Sequence, residues 1–210
     1  MTELLKFVAF GDSLTVGFIP SRIETQPYSR FLKEMVNDFL KQLEKEGDVE
    51  VRFLNKGVNG DLTSGMLLRF RQDVVQLNPK YVIILGGTND IGWGLQSEEV
   101  FLNLKRMYEM ALNNKINPIG CTVPSILGWD EGILPRLRLN KSIKRYCREK
   151  RVLLADLYTK TCDPKTKRLR SEYSSDGLHF NALGYRKMAE SIFEEVVKGI
   201  IIMSCGMGDC

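Results

Sequence analysis

The chain has 210 residues, of which 43% are hydrophobic and 27% are charged. These proportions fit one globular domain with a full core, and they exclude a disordered or collagen-like chain. The formal net charge of +4 is too small and too scattered to indicate nucleic-acid binding, and no nucleic-acid-binding motif is present. We therefore expect no nucleic-acid partner.

The first residues of the chain lead directly into an apolar segment. They lack the basic stretch, the apolar core and the small-residue cleavage site of a signal peptide. The longest apolar runs are far too short to cross a bilayer. We therefore expect a cytoplasmic protein with no stable membrane insertion.

Short apolar runs alternate with segments of helical periodicity. The apolar runs predict five strands, at residues 4–10, 49–54, 81–85, 117–121 and 152–155. The periodic segments predict five helices, at residues 28–43, 67–77, 97–111, about 137–150 and 182–196. Such alternation is typical of βαβ units, which form a parallel sheet with helices on both faces. The predicted class is therefore α/β.

Several connections carry signals of their own. Ser97 and Asn181 are predicted to cap the helices that follow them, and Pro27 suits the start of the first helix. Residues 122–135 are predicted to form a loop, which is long enough to be functional. Residues 156–180 are mostly polar.

Three predicted strands end in glycine and polar residues. Ser13 follows the first strand, Gly60 lies beyond the second, and Asn89 follows the third. Because open α/β sheets bind ligands at the carboxyl ends of their strands, these residues are predicted to meet at one edge. Ser13 is the candidate nucleophile. The Ser13 and Gly60 amides and the Asn89 side chain are candidate donors to an oxyanion.

A serine nucleophile needs a base, and His179 is the only histidine in the chain. Asp176 lies three residues before it, so its carboxylate can orient the imidazole and stabilise the imidazolium. If a histidine activates Ser13, it is therefore His179.

The chain resembles the GDSL, or SGNH, hydrolase family in the order of four blocks: Gly11-Asp12-Ser13-Leu14, Asn59-Gly60-Asp61, Gly87-Thr88-Asn89-Asp90 and Asp176-Gly177-Leu178-His179. The resemblance implies a flavodoxin-like, three-layer αβα sandwich on a five-stranded parallel sheet. It also implies that the protein is an esterase or lipase-like hydrolase that needs no cofactor. In the roles that the resemblance implies, Ser13 is the nucleophile, His179 and Asp176 complete the triad, and Ser13, Gly60 and Asn89 form the oxyanion hole.

Each of these residues also has an ordinary structural interpretation. Ser13 or Asp12 could cap a helix, Gly60 could supply a positive φ, Asn89 could form an Asx-turn, and His179 could be structural. Taken singly, these interpretations are preferred, whereas the ordered set at the strand ends favours catalysis. Two other classes stay open: a small-molecule binding module with a phosphate near Ser13, and an interaction protein with a vestigial site.

The substrate is not evident from the sequence. Short-chain esters, thioesters, lysophospholipids and acetylated carbohydrates are all candidates. Trp93 and Trp129 could line a substrate pocket or pack under a loop. The basic run at 136–151 could attract an anionic substrate or a membrane surface, although a solvated helix face is the preferred interpretation. Residues 200–203 are apolar and could pack on the core or on another subunit, so a homo-oligomer stays open.

The five cysteines are odd in number and far apart, which predicts reduced thiols rather than a disulfide framework. Cys205 and Cys210 lie close together in the tail, but no neighbouring histidine or second pair completes a zinc site. We therefore predict no metal site, one hydrolase domain at 1–202, and a tail at 203–210 to which no role is assigned.

Overall fold

The computed structural model describes residues 2–207, and its main sheet has five parallel strands. In chain order the strands are β1 (Glu3–Gly11), β2 (Phe18–Ile19), β3 (Glu24–Thr25), β4 (Val49–Gly57), β5 (Tyr81–Leu85), β6 (Asn117–Cys121) and β7 (Leu153–Ala155). The main sheet has the order β4-β1-β5-β6-β7, and β2 and β3 form a separate antiparallel hairpin.

The helices between these strands are α1 (Ser13–Val16), α2 (Tyr28–Gln42), α3 (Thr63–Asp73), α4 (Thr88–Gly92), α5 (Ser97–Asn113), α6 (Ile133–Lys150), α7 (Leu157–Thr161), α8 (Ala182–Ile192) and α9 (Lys198–Ser204). A π-helical turn, Phe193–Val197, joins α8 to α9. Short 3₁₀ turns lie at Val75–Leu77, Asp130–Gly132 and Ser171–Tyr173.

Side chains of β1 alternate between two cores. Leu5 and Phe7 pack in the core beneath α2, α8 and α9, whereas Val8 and Phe10 pack in the core beneath α3, α5 and α6. This alternation follows from the period of two in a strand, and burial of both faces explains the nearly continuous apolar runs. The predicted three-layer αβα sandwich on a five-stranded parallel sheet is confirmed.

Several predicted boundaries were wrong. Helix α6 begins at Ile133, so the loop predicted to reach Pro135 ends earlier. Proline is tolerated in a first helical turn because the backbone N–H groups there have no intrahelical acceptor. Ser97 is not an N-cap: α5 starts at Ser97 after Gln96, and the Ser97 hydroxyl donates to the Pro135 carbonyl at 3.0 Å. The cap at Asn181 is confirmed, because its side chain accepts from the Gly184 N–H at 2.9 Å.

Other differences concern whole segments. The predicted helix at 67–77 is α3 followed by a 3₁₀ turn, and the polar segment at 156–180 contains α7 and another 3₁₀ turn. The hairpin of β2 and β3 was not predicted. Ile200 and Ile201 are buried in the core under α2, α8 and α9, so these two residues pack within their own chain.

The basic run at 136–151 is not uniformly solvated. Arg136 is only 1% exposed, whereas Arg138, Lys141 and Arg145 on the same helix lie at the surface. The prediction of a solvated face was therefore wrong for Arg136, which lies on the face of α6 that also buries Leu139.

Cys121, Cys147, Cys162 and Cys205 carry free thiols. Cys210 lies outside the described residues. Among residues 2–207 there is no cluster of three or more histidine, cysteine or acidic side chains that could hold a metal ion. In the same part of the chain, no helix combines the length and apolar character that a membrane span needs.

Candidate active site

Ser13 is the first residue of α1, directly beyond the carboxyl end of β1. Asp12 caps this helix, since its Oδ1 accepts from the Leu14 N–H at 2.9 Å. A Cβ on Gly11 would lie 2.1 Å from the Leu85 carbonyl oxygen, so glycine is needed for β1 to end beside β5. The sequence thus places the Ser13 hydroxyl at the edge of the sheet.

A chain of hydrogen bonds links the three residues predicted to act together. Ser13 Oγ lies 3.0 Å from His179 Nε2, and His179 Nδ1 lies 2.8 Å from Asp176 Oδ2. The other carboxylate oxygen of Asp176 accepts from the backbone N–H groups of Leu178 and His179, at 2.9 and 2.7 Å. The carboxylate is therefore held on both sides and fixes the direction of the imidazole.

The charge state of Asp176 follows from these contacts. Partial burial favours the neutral acid, but the hydrogen bonds from the His179 ring and from the two backbone N–H groups outweigh it and lower the pKa. Asp176 is therefore a carboxylate at neutral pH. In that form it can accept a hydrogen bond from Nδ1–H and leave Nε2 free to take a proton.

The loop that carries His179 is braced by several contacts. The Ser175 N–H donates to the His179 carbonyl at 2.8 Å, and the Leu127 N–H donates to the Gly177 carbonyl at 2.8 Å. The Phe18 ring of β2 meets the imidazole edge to face, with 5.6 Å between ring centroids. The unpredicted hairpin thus packs against the imidazole.

The three predicted oxyanion donors lie at the ends of β1, β4 and β5. The Ser13 and Gly60 N–H groups have no hydrogen-bond acceptor among residues 2–207. Asn89 Nδ2 donates one N–H to the Asp61 carbonyl at 2.9 Å and retains a second. Gly60 has a φ of 73°, which glycine adopts without strain.

The segment bearing Asn89 is tied to the start of α3. Asp90 accepts from the Thr63 N–H at 3.0 Å and from the Thr63 hydroxyl at 2.5 Å. Burial nevertheless raises the pKa of Asp90, against the effect of these hydrogen bonds. Asn89 and Asp90 therefore join α4 to the neighbouring loop rather than forming an Asx-turn.

Arg69 is a structural residue of the site that the sequence analysis missed. Its guanidinium donates to the Gly11 carbonyl at 2.8 Å, to the Lys56 carbonyl at 2.9 Å and to the Asp61 carboxylate at 2.7 Å. Its Cζ lies 4.2 Å from the centroid of the Phe10 ring. One side chain thus connects the ends of β1 and β4 with the loop that holds Gly60.

A cavity of about 280 Å³ lies beside Asn89. Its walls include Asn89, Trp93, Ile126, Trp129, Arg136 and Leu178. Both tryptophans predicted as pocket residues therefore line one cavity, although Trp93 is 78% exposed. Leu178 connects this cavity to the loop of His179.

Asp12 offers a test of stability against pH. Burial, with a smaller contribution from Asp90 and Asp61, raises its pKa from 3.8 to about 7, and its Oδ2 has no partner among the described residues. The pKa of Asp12 is higher in the folded protein than in the unfolded chain, so the folded state holds the proton more tightly. The free energy of unfolding therefore falls as pH rises from about 4 to 7, and Asp12 changes it no further above pH 7. We expect Asp12→Asn to gain stability relative to the wild type across that interval. Urea unfolding of both proteins at pH 5, 6, 7 and 8 measures their free energies of unfolding. A difference between them that stays constant with pH would contradict the raised pKa of Asp12.

The structure is a three-layer αβα sandwich with a hydrogen-bonded serine, histidine and aspartate at the edge of its sheet. The GDSL-like Lipase/Acylhydrolase family matches residues 9–187. The chain belongs to this family, as the four sequence blocks predicted.

The chain is also similar to solved structures and to part of one further protein. A lipase/acylhydrolase from Enterococcus faecalis has a TM-score of 0.75 at 27% identity, over 93% of this chain and 96% of that chain. A catalytic mutant of an acetylxylan esterase from Geobacillus stearothermophilus has a TM-score of 0.76 at 18% identity, over 93% and 95%, and supports the fold alone. The uncharacterized lipoprotein YqeF of Bacillus subtilis (strain 168) is 41% identical over 83 residues, which span 40% of this chain and 31% of that protein.

Proposed function

We propose that this protein hydrolyses small carboxylic esters through an acyl-enzyme on Ser13. The hydrogen-bonded chain from Ser13 through His179 to Asp176 carries the proposal, because its distances of 3.0 and 2.8 Å suit transfer of the serine proton. Membership of an acylhydrolase family supports the reaction class. The cytoplasmic location stays a prediction.

In the first half-reaction, Ser13 Oγ attacks the ester carbonyl carbon while its proton moves to His179 Nε2. The carbonyl oxygen gains the negative charge, and the Ser13 and Gly60 N–H groups and the Asn89 amide donate to it. The imidazolium then gives its proton to the alcohol oxygen as the carbon–oxygen bond breaks. The alcohol leaves, and the acyl group stays on Ser13.

In the second half-reaction, water is the nucleophile and Ser13 Oγ is the leaving group. A water molecule takes the place of the alcohol and gives a proton to His179 Nε2 as its oxygen attacks the acyl carbon. The same donors stabilise the second oxyanion. Collapse of this intermediate breaks the bond to Ser13 Oγ, which recovers its proton from the imidazolium, and the carboxylic acid leaves.

The direct test is covalent labelling. The protein is incubated with an alkyl fluorophosphonate and digested, and the modified peptide is identified by mass spectrometry, while 4-nitrophenyl acetate reports turnover. We expect one adduct, on Ser13, and loss of turnover in proportion to labelling. Absence of both adduct and turnover would favour a binding module or a vestigial site.

Asn89→Ala tests the oxyanion donor. Loss of one such donor is expected to lower kcat by about a hundredfold to a thousandfold, with a smaller effect on KM, because the contact strengthens in the transition state. Steady-state kinetics with 4-nitrophenyl acetate measure both constants, and Asn37→Ala, at an exposed position of α2, serves as the control. An unchanged kcat would remove Asn89 from the mechanism.

A further inference from the structure

Arg136 is a buried cation that the mechanism above does not use. Its side chain is 1% exposed and lies on the inward face of α6. Nη1 donates to the Gly132 carbonyl at 2.9 Å, four residues earlier. Nε and Nη2 are buried, and neither has a hydrogen-bond acceptor within residues 2–207. Two of the three guanidinium nitrogens are thus left without an acceptor.

Burial of guanidinium N–H groups without acceptors costs folding free energy unless another group supplies the acceptors. Buried guanidinium groups normally pair with a carboxylate or with several carbonyl oxygens, because desolvation of an unpaired charge is unfavourable. Burial lowers the pKa of Arg136 to about 10, so the group still carries its charge at neutral pH. The guanidinium is therefore a buried charge that no carboxylate within residues 2–207 pairs with, and an anion beside it would offset the cost of its burial.

The position of Arg136 indicates where the anion would lie. Arg136 is one of the residues that line the cavity of about 280 Å³, together with Asn89, Trp93 and Trp129. The guanidinium carbon lies 5.6 Å from the Trp129 ring. Asn89 is the proposed oxyanion donor, so a group in this cavity would belong to the ester whose carbonyl is attacked.

The other walls of the cavity strengthen the effect of the charge. Ile126, Leu178 and Trp129 present mainly apolar surface beside Arg136, and a charge next to apolar groups attracts an anion more strongly than a fully solvated charge does. The volume suits a small acyl or alcohol group.

We propose that Arg136 selects esters that carry a carboxylate, or another small anion, in the part of the molecule held beside Asn89. This inference rests on the proposed ester hydrolysis and names its substrate class. Arg136 is a specificity residue in this scheme, and it takes no part in proton transfer.

Two matched pairs of esters test the proposal. Monomethyl succinate and methyl 4-methylpentanoate differ by a carboxylate in place of an isopropyl group on the acyl side. 4-Acetoxybenzoate and its methyl ester differ on the alcohol side. For each pair, the ratio of kcat/KM for the anionic ester to that for the neutral ester is measured from methanol or acetate release.

The decisive variant is Arg136→Met, which removes the charge and keeps most of the volume. Arg136 has no ion-pair partner within residues 2–207, so its replacement leaves no buried countercharge unpaired, and we expect the variant to fold. We expect the anionic-to-neutral ratio to fall by about tenfold or more in at least one pair. Arg138→Met, at an exposed position two residues along α6, should keep the wild-type ratios. Unchanged ratios in both pairs for Arg136→Met would overturn the proposal.

Binding supplies a second measurement that does not need turnover. Isothermal titration of the Ser13→Ala variant with monomethyl succinate and with 4-acetoxybenzoate is compared with that of Ser13→Ala/Arg136→Met. We expect the double variant to bind one of these esters at least about tenfold more weakly. Equal binding of both esters would refute the role of Arg136. Absence of wild-type turnover of all four esters would count against the proposed hydrolysis instead.

Discussion

Replacement of Ser13 by alanine is expected to lower kcat for ester hydrolysis by about a millionfold, and His179→Ala is expected to lower it about as far. The reason is that the two residues act as one unit. The hydroxyl is a weak nucleophile until Nε2, 3.0 Å away, takes its proton, and the imidazole has no function without the hydroxyl.

The double variant makes this prediction specific. If the two side chains act together, Ser13→Ala/His179→Ala should be about as slow as either single variant, because the second substitution removes nothing further. The rates are measured with 4-nitrophenyl acetate, and circular dichroism checks the fold. Losses that multiply in the double variant would show that the residues act independently, and a wild-type rate in Ser13→Ala would exclude the acyl-enzyme.

The second large effect is expected at Asp176. Asp176→Asn should lower kcat by about a thousandfold to ten thousandfold. An amide at this position can donate to Nδ1, which stabilises the tautomer with its proton on Nε2, and that nitrogen then cannot accept from Ser13. The Asp176 side chain is 37% exposed, so water can partly replace its hydrogen bond to the imidazole. A loss of about a thousandfold is therefore the lower end of the expected range.

Kinetics near pH 8 measure this change. The matched control is Glu172→Gln, which changes an exposed carboxylate to an amide four residues earlier in the same segment. We expect that control to stay close to the wild-type rate. A loss of less than about tenfold in Asp176→Asn would mean that the His179 orientation depends on the packing of Phe18 and on the backbone contacts instead.

The layers of this fold could be predicted from the sequence because the strands are buried on both faces. The run at 81–85 is wholly apolar, and the observed strand Tyr81–Leu85 has the same limits. The residues that gather at the sheet edge could also be predicted, since parallel strands bring their carboxyl ends together. The contact between Ser13 and His179 follows from no local pattern; it was expected because His179 is the only histidine in the chain and because the four blocks resemble a known family.

Other features depend on tertiary contacts that no periodicity reveals. The hairpin β2–β3 has two residues in each strand, too few for an alternating pattern. Arg69 looks like an ordinary charged residue of a helix until the ends of β1 and β4 surround it.

Arg136 was hidden among the basic residues around it. One signal in the sequence nevertheless identifies it, because it precedes the buried Leu139, Asn140 and Ile143 by three, four and seven residues. These are the spacings that place residues on the same helical face. The burial of Arg136 could therefore be predicted from the spacing of the buried residues of α6. The lack of acceptors for its guanidinium could not be predicted in this way.

The Ser13–His179 hydrogen bond spans 166 positions of the chain, and this separation has a consequence for biosynthesis. The serine emerges early from the ribosome, whereas the imidazole is added about 10 to 30 seconds later at ordinary rates of translation. A nascent polypeptide that stops before residue 179 has the hydroxyl but lacks its base. Under the proposed mechanism, such an incomplete product could not activate its Ser13 hydroxyl.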